Sequence, residues 1–320
     1  MKFEFNMAQV SVIIPLYNGS QTISSAIQSV RDQTFKDLEL LLVDDASTDG
    51  SLKEVEHHLT DQRVRLFRNT RNLGIPATKN KALRMAKGPY IAFLDQDDIW
   101  LPNKIETQLS ILEQQDKIGL IASAVYFINK HGQVIGKKVL DIQEAQPPLQ
   151  VKRLLLGNFI TNSSAMVRRS CIDKIGYFNE NLRGSDDYDM WVRIAEYYGI
   201  YYLKRILIKK RIHSSNFSEK NIHSMMIDKL TTIYSTIKRN PYLADELRNF
   251  SGNVYRSTAI KYAVSGQNVK AKKHFLLAFK SGNRSFVTLA GYILSFLSPW
   301  ILSKITYLGQ FTKRRFGFNL

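Results

Sequence analysis

The residues with the clearest chemical potential are three carboxylates, Asp95, Asp97 and Asp98, which directly follow an apolar run, Ile91–Leu94. Like charges this close repel one another and raise each other's pKa unless a cation neutralises them. Carboxylate oxygens are the ligands that Mg²⁺ and Mn²⁺ prefer, and such ions commonly also bind substrate phosphates. The same residues could instead form a solvated turn, with Asp98 near a helix N-cap and Pro102 in the first helical turn. The surrounding elements decide between these interpretations.

The sequence before this cluster alternates between strand and helix patterns. Apolar runs predict strands at Val10–Leu16, Leu38–Val43, Val64–Phe67 and Ile91–Leu94. Segments with apolar residues at helical spacing separate these runs, as is typical of βαβ units. We therefore predict an α/β fold with a mostly parallel sheet flanked by helices.

Polar clusters follow three of the predicted strands, at Pro15–Asn18, Asp44–Ser47 and Asp95–Asp98. Ligands bind open α/β sheets beyond the carboxyl ends of the strands, so we expect the three clusters to converge on one rim. This convergence favours a binding site over a solvated turn.

The later part of the α/β region contains further strand patterns and a second acidic cluster. We predict strands at Ile118–Asn129, Phe159–Arg168, Ile200–Leu203 and Leu207–Ile212, with a hairpin turn at His131-Gly132. The second acidic cluster, Asp186-Asp187-Tyr188-Asp189, leads into an amphipathic helix that carries Trp191.

Six short motifs occur in a fixed order, at Val10–Asn18, Val43–Gly50, Asn72–Gly74, Phe93–Asp98, Gly176–Phe178 and Asp186–Trp191. In this order and spacing the sequence resembles the family 2 glycosyltransferases of GT-A fold over roughly residues 8–215. The resemblance implies a Rossmann-like GT-A domain over residues 1–215. It also implies transfer of a sugar from a nucleotide-sugar donor, with inversion at the anomeric carbon.

The resemblance also implies roles for individual residues. The nucleotide-binding positions are Pro15, Tyr17, Asn18, Asp45, Lys79, Asp95 and Gln96, and the metal-binding positions are Asp97, Asp98 and His213. The metal is Mn²⁺ or Mg²⁺ and bridges the donor's diphosphate. Asp187 matches the family's general base, with Asp186 and Trp191 as acceptor or support residues. Lys79 stands where the family usually has Arg, and Lys lacks the bidentate fork of Arg.

This set suits direct displacement by the acceptor. A divalent cation neutralises the charge that develops on the leaving nucleoside diphosphate. A carboxylate that takes the acceptor hydroxyl's proton contributes about 10²–10⁴-fold in rate. No protein nucleophile is needed, and the one cysteine, Cys171, lies in an apolar helical context that indicates a core residue.

Several of these residues also have a purely structural interpretation. Tyr17 could pack at the sheet edge, and Asp45 could cap the next helix. Asp187 could be a first-turn charge that interacts with a helix dipole. Trp191 could belong to the core, and His213 could be a surface residue.

The positive charge of the sequence, +17 in total, is concentrated in the C-terminal part. Residues 1–202 carry 24 Lys or Arg and 24 Asp or Glu, whereas residues 203–320 carry 21 Lys or Arg and 4 Asp or Glu.

We predict a helical, basic region over residues 216–320. Residues 285–303 contain no charged side chain, and basic and aromatic residues follow them, which favours attachment to an anionic membrane surface. A membrane span and a plain helical packing domain are the alternatives. Nucleic-acid binding is disfavoured because no recognition motif is present.

The sequence therefore predicts a metal-dependent, inverting glycosyltransferase of cell-surface polysaccharide synthesis. The expected donor is a UDP-sugar, and the expected acceptor is a hydroxyl of a glycan or lipid-linked glycan. The single cysteine indicates a reducing compartment, and Met1–Ala8 lacks the apolar stretch of a signal peptide, so we expect the inner face of the cell membrane. The alternatives are a non-catalytic membrane adaptor that kept the fold, or a related nucleotide-sugar or nucleotidyl enzyme.

Overall fold

One sheet lies at the centre of the fold in the computed structural model, which describes residues 8–142, 149–213 and 220–294. Within these ranges the strands are β1 (Val10–Leu16), β2 (Leu38–Asp44), β3 (Val64–Arg68), β4 (Tyr90–Phe93), β5 (Ile99–Trp100), β6 (Ile118–Ile128), β7 (Val134–Lys138), β8 (Met166–Arg168) and β9 (Gly199–Arg211). The helices there are α1 (Ile23–Arg31), α2 (Ser51–Glu56), α3 (Ile75–Met85), α4 (Lys104–Gln114), α5 (Leu149–Leu156), α6 (Arg169–Ile175), α7 (Asp186–Ala195), α8 (Ile222–Arg239), α9 (Leu247–Val264), α10 (Asn268–Lys280) and α11 (Phe286–Leu294).

The sheet has the strand order β3-β2-β1-β4-β8-β6-β9-β5, with β7 paired to β6. The first four strands form parallel pairs, as predicted, and β6 is parallel to β9. Antiparallel pairs join β8 to β4 and β6, β5 to β9, and β7 to β6, so the sheet is mixed. Leu16 lies beside Asp44 in the register of β1 and β2, and Phe93 of β4 lies beside Ile13. The carboxyl ends of these three strands therefore share one edge of the sheet.

Two predicted strand boundaries are wrong. Only Met166–Arg168 of the predicted strand Phe159–Arg168 is extended, because a 3₁₀ turn occupies Asn162–Ser164. There the Ser164 hydroxyl donates to the carbonyl oxygen of Thr161 over 2.7 Å, a local side-chain bond that competes with strand pairing. The two strands predicted at Ile200–Leu203 and Leu207–Ile212 are one strand, β9, whose pairing with β6 shifts register along its length.

Alternate side chains of the central strands enter two cores, one on each face of the sheet. Ile13 and Val43 join the core that α3, α5, α6 and α7 cover. Ile14 and Leu42 join the core that α1 and α4 cover. This alternation follows from the two-residue period of a strand and explains why these strands are apolar on both faces.

The helices predicted in the C-terminal part are confirmed for the residues that the structure describes. The first of them, α8, buries Met226, Leu230 and Ile233 in the same core as α7. A smaller core around Phe275 is formed by α9, α10 and α11 together with Ile222 of α8. The proposed division of the chain at residue 215 stays a prediction.

None of the helices among the described residues has the length and apolar character that a membrane span needs. The apolar stretch noted at 285–303 is described only as far as Leu294, and the basic and aromatic residues after it lie outside the described residues.

Candidate active site

The Asp95, Asp97 and Asp98 carboxylates lie together in the loop that joins β4 to β5. One oxygen from each of them can be chosen so that all three atoms lie within 4.8 Å of one another. Asp98 is buried, whereas Asp95 and Asp97 are half-buried and remain accessible from the rim. The three carboxylates therefore form a compact cluster of oxygen atoms, which makes them a candidate cation site.

A polar turn from the second half of the sheet holds two of these carboxylates in place. The Asn162 side-chain amide donates to Oδ1 of Asp95 over 2.6 Å. The Ser163 hydroxyl donates to Oδ2 of Asp98 over 2.6 Å and accepts the backbone N–H of Asp95 over 3.1 Å. The backbone N–H of Arg211 donates to Oδ1 of Asp98 over 2.9 Å. Both carboxylate oxygens of Asp98 therefore accept hydrogen bonds from the protein, so Asp97 and Asp95 are the more available metal ligands.

Asp97 and His213, two of the predicted metal ligands, lie in direct contact. The Nε2 atom of His213 is 2.9 Å from Oδ2 of Asp97, so both side chains present atoms to the same point on the rim. The Arg211 side chain donates from Nε to the Asp97 carbonyl oxygen over 3.0 Å and fixes the backbone there. A carboxylate and an imidazole nitrogen are both suitable ligands for Mn²⁺.

The electrostatics of the cluster favour a bound cation. Burial, followed by the charge of Asp95, raises the pKa of Asp97. Burial raises the pKa of Asp98 to about 7. Lys210 offsets part of this charge: burial opposes its ionisation, but the three carboxylates outweigh burial and raise its pKa. A divalent cation would relieve the remaining repulsion, so the residues present fit such an ion.

The loop after β1 is tied to the carboxylate loop by a reciprocal pair of hydrogen bonds. The Tyr17 backbone N–H donates to Oε1 of Gln96 over 2.8 Å, and Nε2 of Gln96 donates to the Tyr17 carbonyl oxygen over 3.1 Å. The close packing leaves no room at Gly19, where a Cβ atom would come within 2.8 Å of the Gln96 side chain. The Tyr17 side chain itself is 46% exposed, a position that allows stacking on a nucleobase.

The remaining predicted nucleotide residues lie along the ends of β1 and β2. Pro15 is half-buried within β1 beside Val43, and Asn18 adopts a positive φ of 48° just after the strand. The Asn18 side-chain oxygen accepts the Thr48 backbone N–H over 2.9 Å, which joins the loops that follow β1 and β2. These contacts form one side of the cleft.

Asp45 organises the turn after β3. Its Oδ1 accepts the Asn69 side-chain amide and the Leu73 backbone N–H, each over 2.8 Å, and its Oδ2 accepts the Gly74 backbone N–H over 2.9 Å. Asp45 therefore does not cap α2, whose N-terminus has no side-chain cap. A carboxylate has about four acceptor sites, so a contact with a base N–H is compatible with these three bonds and stays a prediction.

Lys79 lies inside the protein. Its side chain is 3% exposed, and its ammonium lies 3.0 Å from Oδ2 of Asp186 and 3.5 Å from Oδ1 of Asn162. Burial opposes this charge, but Asp186, Asp95 and Asp187 outweigh burial and raise the pKa of Lys79. The ammonium thus links the two acidic clusters through an internal ion pair, and its contact with a nucleotide stays a prediction.

Asp187 is the second residue of α7 and is half-buried. Burial, together with the charge of Asp186, raises its pKa to about 6, against the opposing charge of Lys79. The charge of Asp95 also acts on it, so both acidic clusters belong to one electrostatic environment. A carboxylate with a pKa in this range is ionised at neutral pH yet basic enough to take a proton from a hydroxyl.

Trp191 and Cys171 are core residues. Trp191 has no exposed surface and packs on Phe93, with ring centroids 5.8 Å apart. It can therefore support the site only through packing in the core. Burial raises the pKa of Cys171 to about 12, which leaves an inert thiol. Asp189 pairs with Arg193 over 2.8 Å and is structural.

Sequence reasoning missed Asn162, Ser163 and Arg211 as site residues. The first two lie in a polar run within an otherwise apolar predicted strand, and this interruption is the signal that could have identified them. Arg211 contributes through backbone and side-chain bonds that no local pattern reveals.

Comparisons with known proteins agree with this geometry. The sequence model of glycosyl transferase family 2 matches residues 11–176. An uncharacterized glycosyltransferase of Methanocaldococcus jannaschii, MJ1057, is 31% identical over 311 residues, which cover 94% of this chain and 93% of the relative. Other relatives are longer, and the chain spans only 31% and 35% of two of them.

Two solved structures share the fold. The mannosyltransferase PcManGT of Pyrobaculum calidifontis, solved with GDP-Man and Mn²⁺, has a TM-score of 0.61 at 17% identity, and the match covers 98% of this chain and 88% of that one. A fragment of S. aureus TarS, solved with UDP-GlcNAc, has a TM-score of 0.57 at 17% identity, with 94% and 92% covered. The predicted GT-A α/β fold is confirmed.

Proposed function

Because the chain belongs to glycosyl transferase family 2, and is therefore a glycosyltransferase that uses a nucleotide-sugar donor, we propose that it is inverting and metal-dependent. The observation that carries the proposal is the cluster of Asp95, Asp97 and Asp98 at the carboxyl end of β4. The pKa values of Asp97 and Asp98 are raised, a cation would lower them, and His213 lies against Asp97.

The proposed donor site extends from the exposed Tyr17 ring to the carboxylate cluster. Tyr17 stacks on the base, and Asp45 accepts from its ring N–H. Asp97 and His213, assisted by Asp98, hold the metal. When bound, Mn²⁺ or Mg²⁺ supplies a positive charge that stabilises the departing diphosphate.

In the proposed reaction, the acceptor hydroxyl attacks the anomeric carbon of the donor sugar. The oxygen forms the new bond to that carbon while the bond from carbon to the diphosphate breaks, and the configuration inverts. Asp187 takes the hydroxyl proton, for which its pKa of about 6 is suited. The neighbouring carboxylate, Asp186, is already occupied by its ion pair with Lys79, so Asp187 is the residue proposed to accept the proton.

We propose a UDP-sugar as the donor. The complex of TarS with UDP-GlcNAc supports this choice, whereas the complex of PcManGT with GDP-Man and Mn²⁺ supports metal dependence and makes GDP the first alternative. Both neighbours are distant relatives in sequence, so the base must be determined directly.

We also propose that the enzyme acts at an anionic membrane surface on a glycan or lipid-linked glycan acceptor. On α11, Phe286, Leu289 and Ile293 are 84%, 47% and 59% exposed, and their spacing places them on one face. The close approach of Phe275 to Gly291, where a Cβ atom would lie 2.4 Å from the ring, seats α11 on α10. After Glu246 the chain has 12 Lys or Arg and no Asp or Glu. Exposed apolar side chains beside positive charge suit the interface of an anionic bilayer.

Calorimetric titration with UDP, GDP and dTDP, with and without Mn²⁺, tests the donor site. We expect one nucleotide to bind at least tenfold more tightly in the presence of Mn²⁺, and the same titration identifies the base. Folded protein that binds none of the three nucleotides in either condition would contradict the proposal.

A further inference from the structure

A lysine that the proposed reaction does not use is buried close to the carboxylate loop. Lys104, the first residue of α4, has no exposed surface. Its Nζ atom lies 4.1 Å from the centroid of the Trp100 ring and donates to Oε1 of Gln108 over 2.6 Å. Among the residues that the structure describes, no carboxylate pairs with it, and burial lowers its pKa well below the ordinary value. An unpaired lysine is seldom fully buried, because burial of its charge destabilises the fold, so packing alone does not account for Lys104.

Both neighbours of Lys104 bond to the 3₁₀ turn between α5 and β8. Nε2 of Gln108 donates to the carbonyl oxygen of Ser164 over 2.8 Å. Nε1 of Trp100 donates to the carbonyl oxygen of Ser163, also over 2.8 Å. A lysine ammonium donates hydrogen bonds and cannot accept them, so Lys104 holds the Gln108 amide with its oxygen toward Nζ and its nitrogen toward Ser164. Two successive peptide groups of the turn are therefore fixed by buried side chains.

The side chains of the same turn hold the carboxylates. Asn162 donates to Asp95, and Ser163 donates to Asp98. Ser163 thus bonds to Trp100 through its carbonyl oxygen and to Asp98 through its hydroxyl. A rotation of the turn would move both side chains away from the carboxylates that they orient. Hydrogen bonds of this outer kind commonly change the affinity for a metal about 10–100-fold.

We propose that Lys104, together with Gln108 and Trp100, positions the 3₁₀ turn so that its side chains orient the carboxylate cluster for a divalent cation. This inference rests on the proposed metal dependence. Lys104 is fully buried and acts only through its neighbours. Its loss therefore lowers the affinity for the ion, and a higher concentration of the ion restores most of the rate.

Mn²⁺ alone is the probe, titrated into the full chain and followed by the electron paramagnetic resonance signal of the unbound ion. We expect Lys104→Met, which fills the space without a hydrogen-bond donor, to raise the Kd for Mn²⁺ about 10–100-fold. The matched control is Leu109→Ala, a core position on the same helix. This variant should lower the Tm, because it leaves a cavity, but should change the Kd less than twofold.

Trp100→Phe provides a second variant, which tests the same turn if Lys104→Met does not fold. It removes the indole N–H that Ser163 accepts and keeps an aromatic ring. We expect the Kd for Mn²⁺ to rise about fivefold, the effect of one neutral hydrogen bond. Circular dichroism verifies the fold of each variant.

Release of UDP from UDP-sugars gives an independent measurement. In Lys104→Met the Mn²⁺ concentration for half-maximal rate should rise with the Kd, whereas saturating Mn²⁺ should restore most of the rate. A rate that saturating Mn²⁺ does not restore would overturn the inference. So would equal Kd values for wild type and Lys104→Met, or an equal rise in Lys104→Met and Leu109→Ala. Failure of the proposed function is a separate result, namely wild-type protein that binds Mn²⁺ neither alone nor with UDP, GDP or dTDP.

Discussion

The α/β part and the helical part of the chain differ in charge and in how their polar groups are used. Residues 1–202 balance acidic against basic residues, and their carboxylates are interlocked by hydrogen bonds from Asn162, Ser163 and Arg211. Residues 203–320 hold the whole positive excess. We propose that the α/β part, which includes His213, performs the chemistry and that the helical part binds anionic partners.

The family match ends at residue 176, before the candidate base. Asp187 lies at the junction of the two parts, because Asp228 of α8 holds the backbone of the segment before it. The comparison therefore predicts that changes in the α/β part abolish turnover, whereas changes in the helical part alter acceptor and membrane binding.

The largest expected effect is that of Asp97→Ala. Turnover should fall about 10³-fold or more, because a bound cation supplies several kcal/mol of stabilisation to the leaving group. Release of UDP from UDP-sugars in the presence of Mn²⁺ measures it. Asp173→Ala, an exposed carboxylate on α6, is the matched control and should leave the rate unchanged. If Asp97→Ala retained wild-type activity, the assignment of Asp97 as a metal ligand would be wrong.

Asp187→Asn should lower kcat by about 10²–10⁴-fold, the usual contribution of a general base, while UDP and Mn²⁺ still bind. In the wild type, kcat/KM should fall as the pH drops through about 6, since protonated Asp187 cannot accept a proton. The variant should lose this acidic limb. A raised pKa also means that ionised Asp187 opposes folding at neutral pH, so Asp187→Asn should not lower the Tm. An unchanged pH profile in the variant would contradict the assignment.

Lys79→Ala tests how much the buried ion pair between Lys79 and Asp186 contributes to the stability of the fold. The free energy of unfolding should fall by about 3–5 kcal/mol, because the variant leaves the buried Asp186 carboxylate without its partner. Denaturant titration measures this loss. The double variant Lys79→Ala, Asp186→Asn should be less destabilised than the sum of the single variants. Additive losses would show that the pair is not coupled.

The smallest expected effect belongs to the helical part. Replacement of Phe286, Leu289 and Ile293 together by Ser should weaken binding to anionic phospholipid vesicles about tenfold or more, because apolar area is lost from the interface. Flotation of vesicles at low and high salt measures it. Val134→Ser with Ile135→Ser, two exposed apolar residues on β7, is the control. Equal flotation of both variants would leave the helical part without a membrane role.

The sequence predicts the first four strands closely because each is a short apolar run between turns. β1 has the predicted bounds, and β2 and β3 each extend one residue further. Prediction fails where a polar side chain bonds to nearby backbone, as at Asn162–Ser164, or where an interrupted strand continues through a register shift, as in β9.

The sequence predicted only those site residues that stand in local motifs. Tyr17 and the carboxylates after β4 follow neighbouring parallel strands, so their convergence follows from the sheet, whereas Asp187 was identified from its motif alone. The burial of Lys79 was not predictable, since its partner Asp186 lies 107 residues away in sequence. The contact of Asp228 in α8 with the segment before α7 also joins residues more than 40 positions apart, which no local pattern encodes.

The reciprocal hydrogen bonds between Tyr17 and Gln96 join the loop that we propose binds the base to the loop that we propose binds the metal. A ligand bound at one loop should therefore order the other loop, so we expect nucleotide and Mn²⁺ to bind with heterotropic coupling. By thermodynamic reciprocity, the factor by which Mn²⁺ tightens nucleotide binding equals the factor by which the nucleotide tightens Mn²⁺ binding. An empty donor site would thus retain its ion weakly, and the protein would acquire ion and nucleotide-sugar as a pair.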